Sequence, residues 1–171
     1  MIFQAFYPDS IEESAYAVDF SGLYRQGIRG IIFDIDNTLV EHGADADGRA
    51  RQLFKDLREL GMESCLLSNN KEERVMRFNK DIGTHYIYKA GKPSRRGYEQ
   101  AMELMGTDLA HTVFVGDQLF TDVWGAKRMG MANILVRPIG RKEEIQIVLK
   151  RCLEKIVLFF YEREQAKNHG I

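Results

Sequence analysis

From residue 30 to residue 136, short apolar runs alternate with amphipathic helical segments, and few architectures accept that pattern. The runs are "RGIIFD", "ESCLLS", "HYIYK", "HTVFVG" and "ANILVR". Each is too short for a buried helix and is bounded by polar or glycine residues, so each reads as a strand. The segments between them have helical spacing. "RARQLFKDLRELG" places Leu53, Leu57 and Leu60 on one face and stops at Gly61. "KEERVMRFNKDIG" is a charged helix, "PSRRGYEQAMELMG" opens at Pro93 and closes at Gly106, and "TDVWGAKRMG" is a shorter helix. One long helix runs from about Lys142 to Ala166. Ahead of the first strand, "SIEES" has the Ser-x-x-Glu form of a capping box and predicts a short helix beginning near Ile11. "SGLYRQG" predicts a second helical turn ended by Gly27. Strands separated by helices are joined by crossovers, so the sheet is parallel and covered on both faces, an α/β fold.

The chain of 171 residues shows no repeat, low-complexity tract or linker, so a single domain is expected over 1–171. It divides into a helical lead-in (1–27), a core (28–140) and the long C-terminal helix (141–166). Lysine and arginine number 24 against 25 acidic residues, a balance that argues against a nucleic-acid partner. The two cysteines, Cys65 and Cys152, lie far apart in apolar surroundings, which suits a reduced compartment. No signal peptide and no membrane-length apolar run is apparent, so a cytoplasmic protein is expected.

In parallel sheets the ligand crevice lies beyond the carboxyl ends of the strands. Reading those ends in order gives Asp34 with Asp36, then Ser68 with Asn69, then Lys92, then Asp117. Each has a bland alternative. Asp-x-Asp is often a turn, "SNN" often caps a helix, Lys92 before Pro93 suits a solvated loop, and "GDQLFTD" could be a polar loop. Four such accidents at four successive strand ends are less plausible than one site. Neighbouring carboxylates in a crevice need a raised pKa or a divalent cation, and hard oxygen ligands without His or Cys favour Mg²⁺. Lys92, Ser68 and backbone amides could hold a phosphate dianion. Metal, anion site and spare carboxylate together describe phosphoryl transfer, with Asp34 able to attack phosphorus and Asp36 able to shuttle a proton.

With these residues in place, the sequence resembles the haloacid dehalogenase (HAD) superfamily. The family's Asp-x-Asp-x-Thr motif matches "DIDNTLV", and its apolar strand ending in Ser or Thr matches "CLLSN". Its lysine followed by proline matches "GKP", and its Gly-Asp-x-x-x-x-Asp block matches "GDQLFTD". The resemblance implies a Rossmann-like sheet of five parallel strands in the order 5-4-1-2-3. It implies Asp34 as nucleophile and Mg²⁺ ligand, and Asp36 as general acid/base with its backbone carbonyl on the metal. Ser68 and Lys92 would hold the phosphoryl group with Asn69 close by. Asp117 would ligate Mg²⁺, and Asp122 would ligate it or orient a metal-bound water. Neither "EHGADADGRA" nor the stretch between Ser68 and the third strand holds a cap domain, so the crevice is expected to be open. That suits a phosphorylated substrate that is large or presented on a surface. The "FYPD" start, "GIRGIIFDIDNTLVE" and "GDQLFTD" are similar to the capless (subfamily IIIA) YqeG-type group, itself similar to phosphatases of phosphatidylglycerophosphate.

The C-terminal helix carries a broad apolar face. Ile145, Val148, Leu149, Cys152, Ile156, Phe159 and Phe160 form one stripe, and Ile147, Leu153, Val157, Leu158 and Tyr161 widen it. Packing on the sheet at one face and on a second subunit at the other is the favoured reading. Peripheral contact with an anionic membrane, suggested by Lys150, Arg151, Lys155 and Arg163 along its border, is the alternative. A HAD-fold protein whose main role is to bind a protein partner is the competing function. It would predict degraded catalytic positions, and none is degraded.

Overall fold

Six parallel strands form the sheet of the computed structural model, which describes residues 4–140 and 145–168, the side chains of 145–150 and 168 excepted. They are β1 (Ser10–Glu12), β2 (Gly30–Phe33), β3 (Glu63–Leu67), β4 (His85–Ile87), β5 (Thr112–Gly116) and β6 (Ala132–Val136). Their order across the sheet is β1-β6-β5-β2-β3-β4. Omitting β1, this is the 5-4-1-2-3 order that the family resemblance implies.

The helices are α1 (Phe20–Arg25), α2 (Gly48–Leu60), α3 (Glu72–Asn79), α4 (Arg95–Met105), α5 (Trp124–Met129) and α6 (Ile145–Asn168). Residues 141–144, which the sequence reading gives to the start of the last helix, lie outside the described residues.

Strand β1 corrects one expectation. Ser10, Ile11 and Glu12 do not begin a helix; they pair with Ile134, Leu135 and Val136 of β6. Asp9 anchors the strand, its Oδ2 accepting from the backbone N–H and the side-chain amide of Asn133. A capping box in so short a segment offers little against a tertiary ladder. The lead-in therefore holds a strand, 3₁₀ turns and α1, which Asp19 caps by accepting from Gly22 N.

The pleat of β2 divides the core. Ile31 and Phe33 join the buried cluster with Phe54, Leu57, Phe78 and Val113 on one face. Ile32 joins Cys65, Tyr98, Met102 and Phe114 on the other. Helix α2 buries Leu53 and Leu57 of the predicted face together with Phe54, while Leu60 is half-buried. Asp47 caps its start, and left-handed Gly61 (φ 79°) ends it. Burial of a side chain such as Phe54 contributes about 1.5–3 kcal/mol.

Helix α6 departs from the predicted stripe. Val157 and Glu154 are buried and Leu158 and Tyr161 half-buried, while Cys152, Leu153, Ile156, Phe159 and Phe160 are exposed. The side chains of Ile145, Val148 and Leu149 lie outside the described residues. No described helix is long and apolar enough to cross a membrane.

Register positions the crevice. Phe33 pairs with Leu66 on one side and Val115 on the other, so β2, β3 and β5 end level. Asp34 N still bonds to Val115 O, and Ser68 N to Ile87 O, which carries the rigid ladder into the first residues of the site.

Candidate active site

Just past β2 the backbone turns sharply at Asn37, a non-glycine residue with φ 63°, and Asn37 N bonds to Val40 O. The turn buries Asp34, Asp36 and Thr38 at an open cavity of about 200 Å³. Asp34, Asp36, Ser68, Asn69, Lys92 and Gln118 are among the residues that line it.

Lys92 is the hub of the site. Its Nζ donates to Asp34 Oδ1 (2.6 Å) and to Asp122 Oδ1 (2.7 Å) with 3% of the side chain exposed. Burial works against its charge, but Asp122 and Asp34 outweigh that and raise its pKa, so it stays an ammonium. Asn69 sets its backbone: Lys92 N donates to Asn69 Oδ1 (2.7 Å), and Asn69 Nδ2 donates to Lys92 O (3.2 Å). Both ends of that amide are occupied, so Asn69 positions Lys92. Ser68 Oγ accepts from Asn70 N (3.2 Å), which leaves its proton available for an acceptor in the cavity.

Asp122 reaches the site through a single π-helical turn, Leu119–Val123. Its Oδ2 accepts from Gln118 N at 3.1 Å. The approach requires glycine at 116, because a Cβ there would collide with the Asp122 carboxylate and the Phe114 ring. Tyr98 braces the turn, its hydroxyl donating to Thr121 O (2.9 Å) and Asp122 O (3.2 Å).

Asp34, Asp117 and Asp122 each offer a carboxylate oxygen, all within 4.8 Å of one another and all buried. Burial pushes the Asp34 carboxyl up to about 8; Lys92 opposes the shift, while Asp122 and Asp117 add to it. Burial and Asp122 push Asp117 up to about 7 against the pull of Arg151 and Thr38. An all-oxygen cluster too negative for its own ionised state fits a hard divalent cation. The Asp36 carboxylate stands apart from the cluster. Its Oδ1 accepts from Gly43 N (2.7 Å) and Arg74 Nη2 (2.8 Å), and its Oδ2 accepts from Asn70 Nδ2 (2.6 Å).

Several residues were not found by sequence reasoning. Thr38 Oγ1 donates to Asp117 Oδ1 (3.0 Å) and lies 3.5 Å from Asp34 Oδ2. It belongs to the Asp-x-Asp-x-Thr motif, so its signal was present. Arg74 and Arg151 had none, because their contacts depend on how α3 and α6 dock. Arg151 donates to Asp117 Oδ2 and to Asp117 O (2.9 Å). Buried Glu154, one turn on, accepts from Leu119 N at 2.9 Å.

Comparison with known proteins agrees with the geometry. Residues 89–146 match the Hydrolase_like family model, described as HAD-hydrolase-like. The chain is 33% identical over 165 residues to "Probable phosphatase YqeG" of Bacillus subtilis (strain 168), covering 96% of each. It is 26% identical to "Phosphatidylglycerophosphate phosphatase 1, chloroplastic/mitochondrial" of Arabidopsis thaliana, over 92% of this chain and 48% of that one. An uncharacterized protein of Listeria monocytogenes serotype 4b shares the fold with a TM-score of 0.53 at 16% identity, over 69% of this chain and 86% of that one. The strand order, the matched family model and a relative aligned over 96% of each chain place this chain among the haloacid dehalogenase-like phosphatases, in the YqeG-type group.

Proposed function

We propose that this protein is a Mg²⁺-dependent phosphomonoester phosphatase that works through an aspartyl-phosphate on Asp34. The observation that carries the reading is the buried Asp34–Lys92–Asp122 arrangement, with Asp117 beside it, at the floor of an open cavity. Asp34, Asp117 and Asp122, with the backbone carbonyl of Asp36, are the proposed metal ligands. Bound there, Mg²⁺ would offset the carboxylate charge and draw electron density from the phosphoryl oxygens.

The chain's own residues account for the remaining steps. Ser68 Oγ and Lys92 Nζ hold the phosphoryl oxygens, and Asn69 keeps Lys92 in place. An Asp34 carboxylate oxygen attacks phosphorus in line, the bond to the alcohol oxygen breaks, and Asp36 gives that oxygen a proton. Asp36, now ionised, takes a proton from water as the water oxygen attacks phosphorus. The Asp34–phosphorus bond breaks, inorganic phosphate leaves, and both carboxyl groups return to their starting state.

The proposed substrate is phosphatidylglycerophosphate, supported by the open cavity and by the named activity of the Arabidopsis relative. The outward face of α6 supports a peripheral position on an anionic membrane, reached from the cytoplasm. Leu153, Ile156, Phe159 and Phe160 are 41–54% exposed there, with Lys155 and Arg163 among them. The test is Mg²⁺-dependent phosphate release from this lipid in mixed micelles and from a soluble aryl phosphate, with Asp34→Asn protein as blank. Release lost in the variant supports the mechanism. An unchanged rate in Asp34→Asn would refute it, and hydrolysis of the aryl phosphate alone would discard the lipid. Flotation with anionic vesicles, with and without Phe159→Ser, tests the membrane contact; a dimer that ignores vesicles would reassign the face.

A further inference from the structure

Helix α6 meets the carboxylate cluster through polar contacts. Arg151 Nη2 donates to Asp117 Oδ2 and Nη1 to Asp117 O (2.9 Å), with 17% of the arginine side chain and none of the aspartate exposed. Glu154 Oε1 accepts from Leu119 N (2.9 Å), and its Oε2 accepts from Arg151 Nη1 (3.4 Å). The helix thus grips both ends of the Asp117–Leu119 stretch. The apolar part of the joint is thin. Val157 is the one buried apolar side chain of α6 among the described residues, set against Leu119, Val123 and Leu135. Farther along, Tyr161 meets Tyr7 edge-on with ring centroids 5.1 Å apart, and Gln4 Nε2 donates to Glu164 Oε1 (3.2 Å). Beside the joint lies a largely apolar cavity of about 290 Å³, with Leu135, Val136 and Pro138 on one wall and Leu158 of α6 on another.

Both carboxylate oxygens of Asp117 are already occupied. Thr38 donates to Oδ1 (3.0 Å) and Arg151 to Oδ2. Mg²⁺ demands oxygen ligands at about 2.0–2.1 Å in near-octahedral geometry. Ligation by Asp117 therefore displaces one donor, or sets a dication on the same carboxylate as a guanidinium. Two cations sharing one carboxylate repel each other, and each is held less tightly. Thr38 is neutral and fully buried in the turn after β2, whereas Arg151 is a cation on a thinly packed helix. Arg151 is the contact that yields. We infer that α6 is a lever on the metal site: Arg151 and the cation compete for Asp117, so cation binding loosens α6, and a loosened α6 raises cation affinity by the same factor. Without the cation, Arg151 compensates the Asp117 carboxylate and fixes the backbone of its strand end. The exposed outer face of the same helix, with Ile156, Phe159 and Phe160, is the arm of that lever. This rests on the cation-dependent phosphatase reading and adds a regulatory contact to it.

The experiment titrates Mg²⁺ into wild-type, Arg151→Met and Arg151→Lys protein by calorimetry at pH 8. Amide hydrogen exchange across α6 is followed in each, with and without saturating Mg²⁺. Arg151→Met should bind Mg²⁺ at least about fivefold more tightly than wild type, with Arg151→Lys between the two. In wild type, saturating Mg²⁺ should speed the exchange of α6 amides by a similar factor while β2 and β5 are slowed. In Arg151→Met, α6 should exchange fast from the outset and respond little to Mg²⁺. An Arg151 that merely supports Asp117 gives the opposite signs: weaker Mg²⁺ binding in Arg151→Met, and slower α6 exchange on loading. Either result overturns the lever, and so does no change in either quantity. The wild-type exchange experiment decides the matter alone if the variants do not fold. Turnover of a soluble aryl phosphate, assayed in parallel, separates the two claims. Phosphate release with no α6 response removes the lever and leaves the phosphatase. A Mg²⁺-linked α6 response without turnover keeps the lever and removes the phosphatase, and folded protein that binds no Mg²⁺ overturns both.

Discussion

Cation binding to the carboxylate cluster should depend steeply on pH, because in the metal-free protein the cation competes with protons. Burial holds Asp34 at about 8 and Asp117 at about 7, against an ordinary value of 3.8. Both folded values are raised. These groups therefore stabilise the metal-free protein most below pH ~4, and that contribution fades as the pH climbs through about 7 and 8. Each tenfold displacement of a protonation equilibrium is ~1.4 kcal/mol, so the loss reaches several kcal/mol. A bound divalent cation reverses the trend by favouring the ionised forms.

The size of the effect on affinity follows directly. At pH 6 the two carboxyl groups are held largely protonated, and by pH 8 they are largely ionised. The apparent Kd for Mg²⁺ should therefore fall by about tenfold or more between those pH values. Calorimetry in two buffers of different ionisation enthalpy should register one to two protons released at pH 6.5, as an order-of-magnitude expectation. Thermal melts should show a larger Mg²⁺-induced rise in Tm at pH 8 than at pH 6. A Kd constant across this range, with no proton released, would mean that the cluster is not the cation site or that its carboxyl groups are not held protonated.

Other perturbations probe the supports of the site. Gly116→Ala places a methyl group into the Asp122 carboxylate and the Phe114 ring. It should cost about 1–3 kcal/mol and most of the turnover, read by urea denaturation and phosphate release. Arg151→Met leaves the Asp117 carboxylate without its cation. At pH 8, where Asp117 is ionised, the metal-free protein should lose about 3–5 kcal/mol, with a smaller loss at pH 6 where the carboxyl is protonated, and Mg²⁺ should recover more Tm than it does in wild type. Phe54→Ala empties a fully buried position against Phe33, with ring centroids 5.2 Å apart, and should cost about 3–5 kcal/mol without changing Mg²⁺ affinity in the folded protein.

What could be read from the sequence follows from the range of the interactions. The alternation of strands and helices, and the polar residues at the strand ends, are local patterns. Ile31 to Asp36 states both within six residues. The placement of β1 could not be read, because "SIEES" satisfies a local helix signal and becomes a strand only through pairing with β6, over a hundred residues away. Helix α6 was misjudged for a related reason. Its outward residues are as apolar as its inward ones, so periodicity could not choose a face, and the choice fell to Val157 meeting Leu119, Val123 and Leu135. Asn69 illustrates the limit for site residues. The motif put it beside Ser68, but only the fold reveals that both ends of its amide are taken by Lys92.

The charge count of the site explains why cation and substrate should bind together. Asp34, Asp117, Asp122 and Glu154 face Lys92 and Arg151, four carboxylates against two cations, while Asp36 pairs with Arg74 outside this centre. Fully ionised, that centre is two negative charges in excess, which opposes a phosphate dianion. A divalent cation cancels the excess, and a bound phosphoryl dianion then returns it to two negative. Neither guest is comfortable alone in a buried site, and each lowers the cost of the other. Helix α6 belongs to this balance through Arg151, and Glu154 holds the other end of the same turn at Leu119. A helix whose outer face is open to a surface thus supplies one of the two cations in the buried centre.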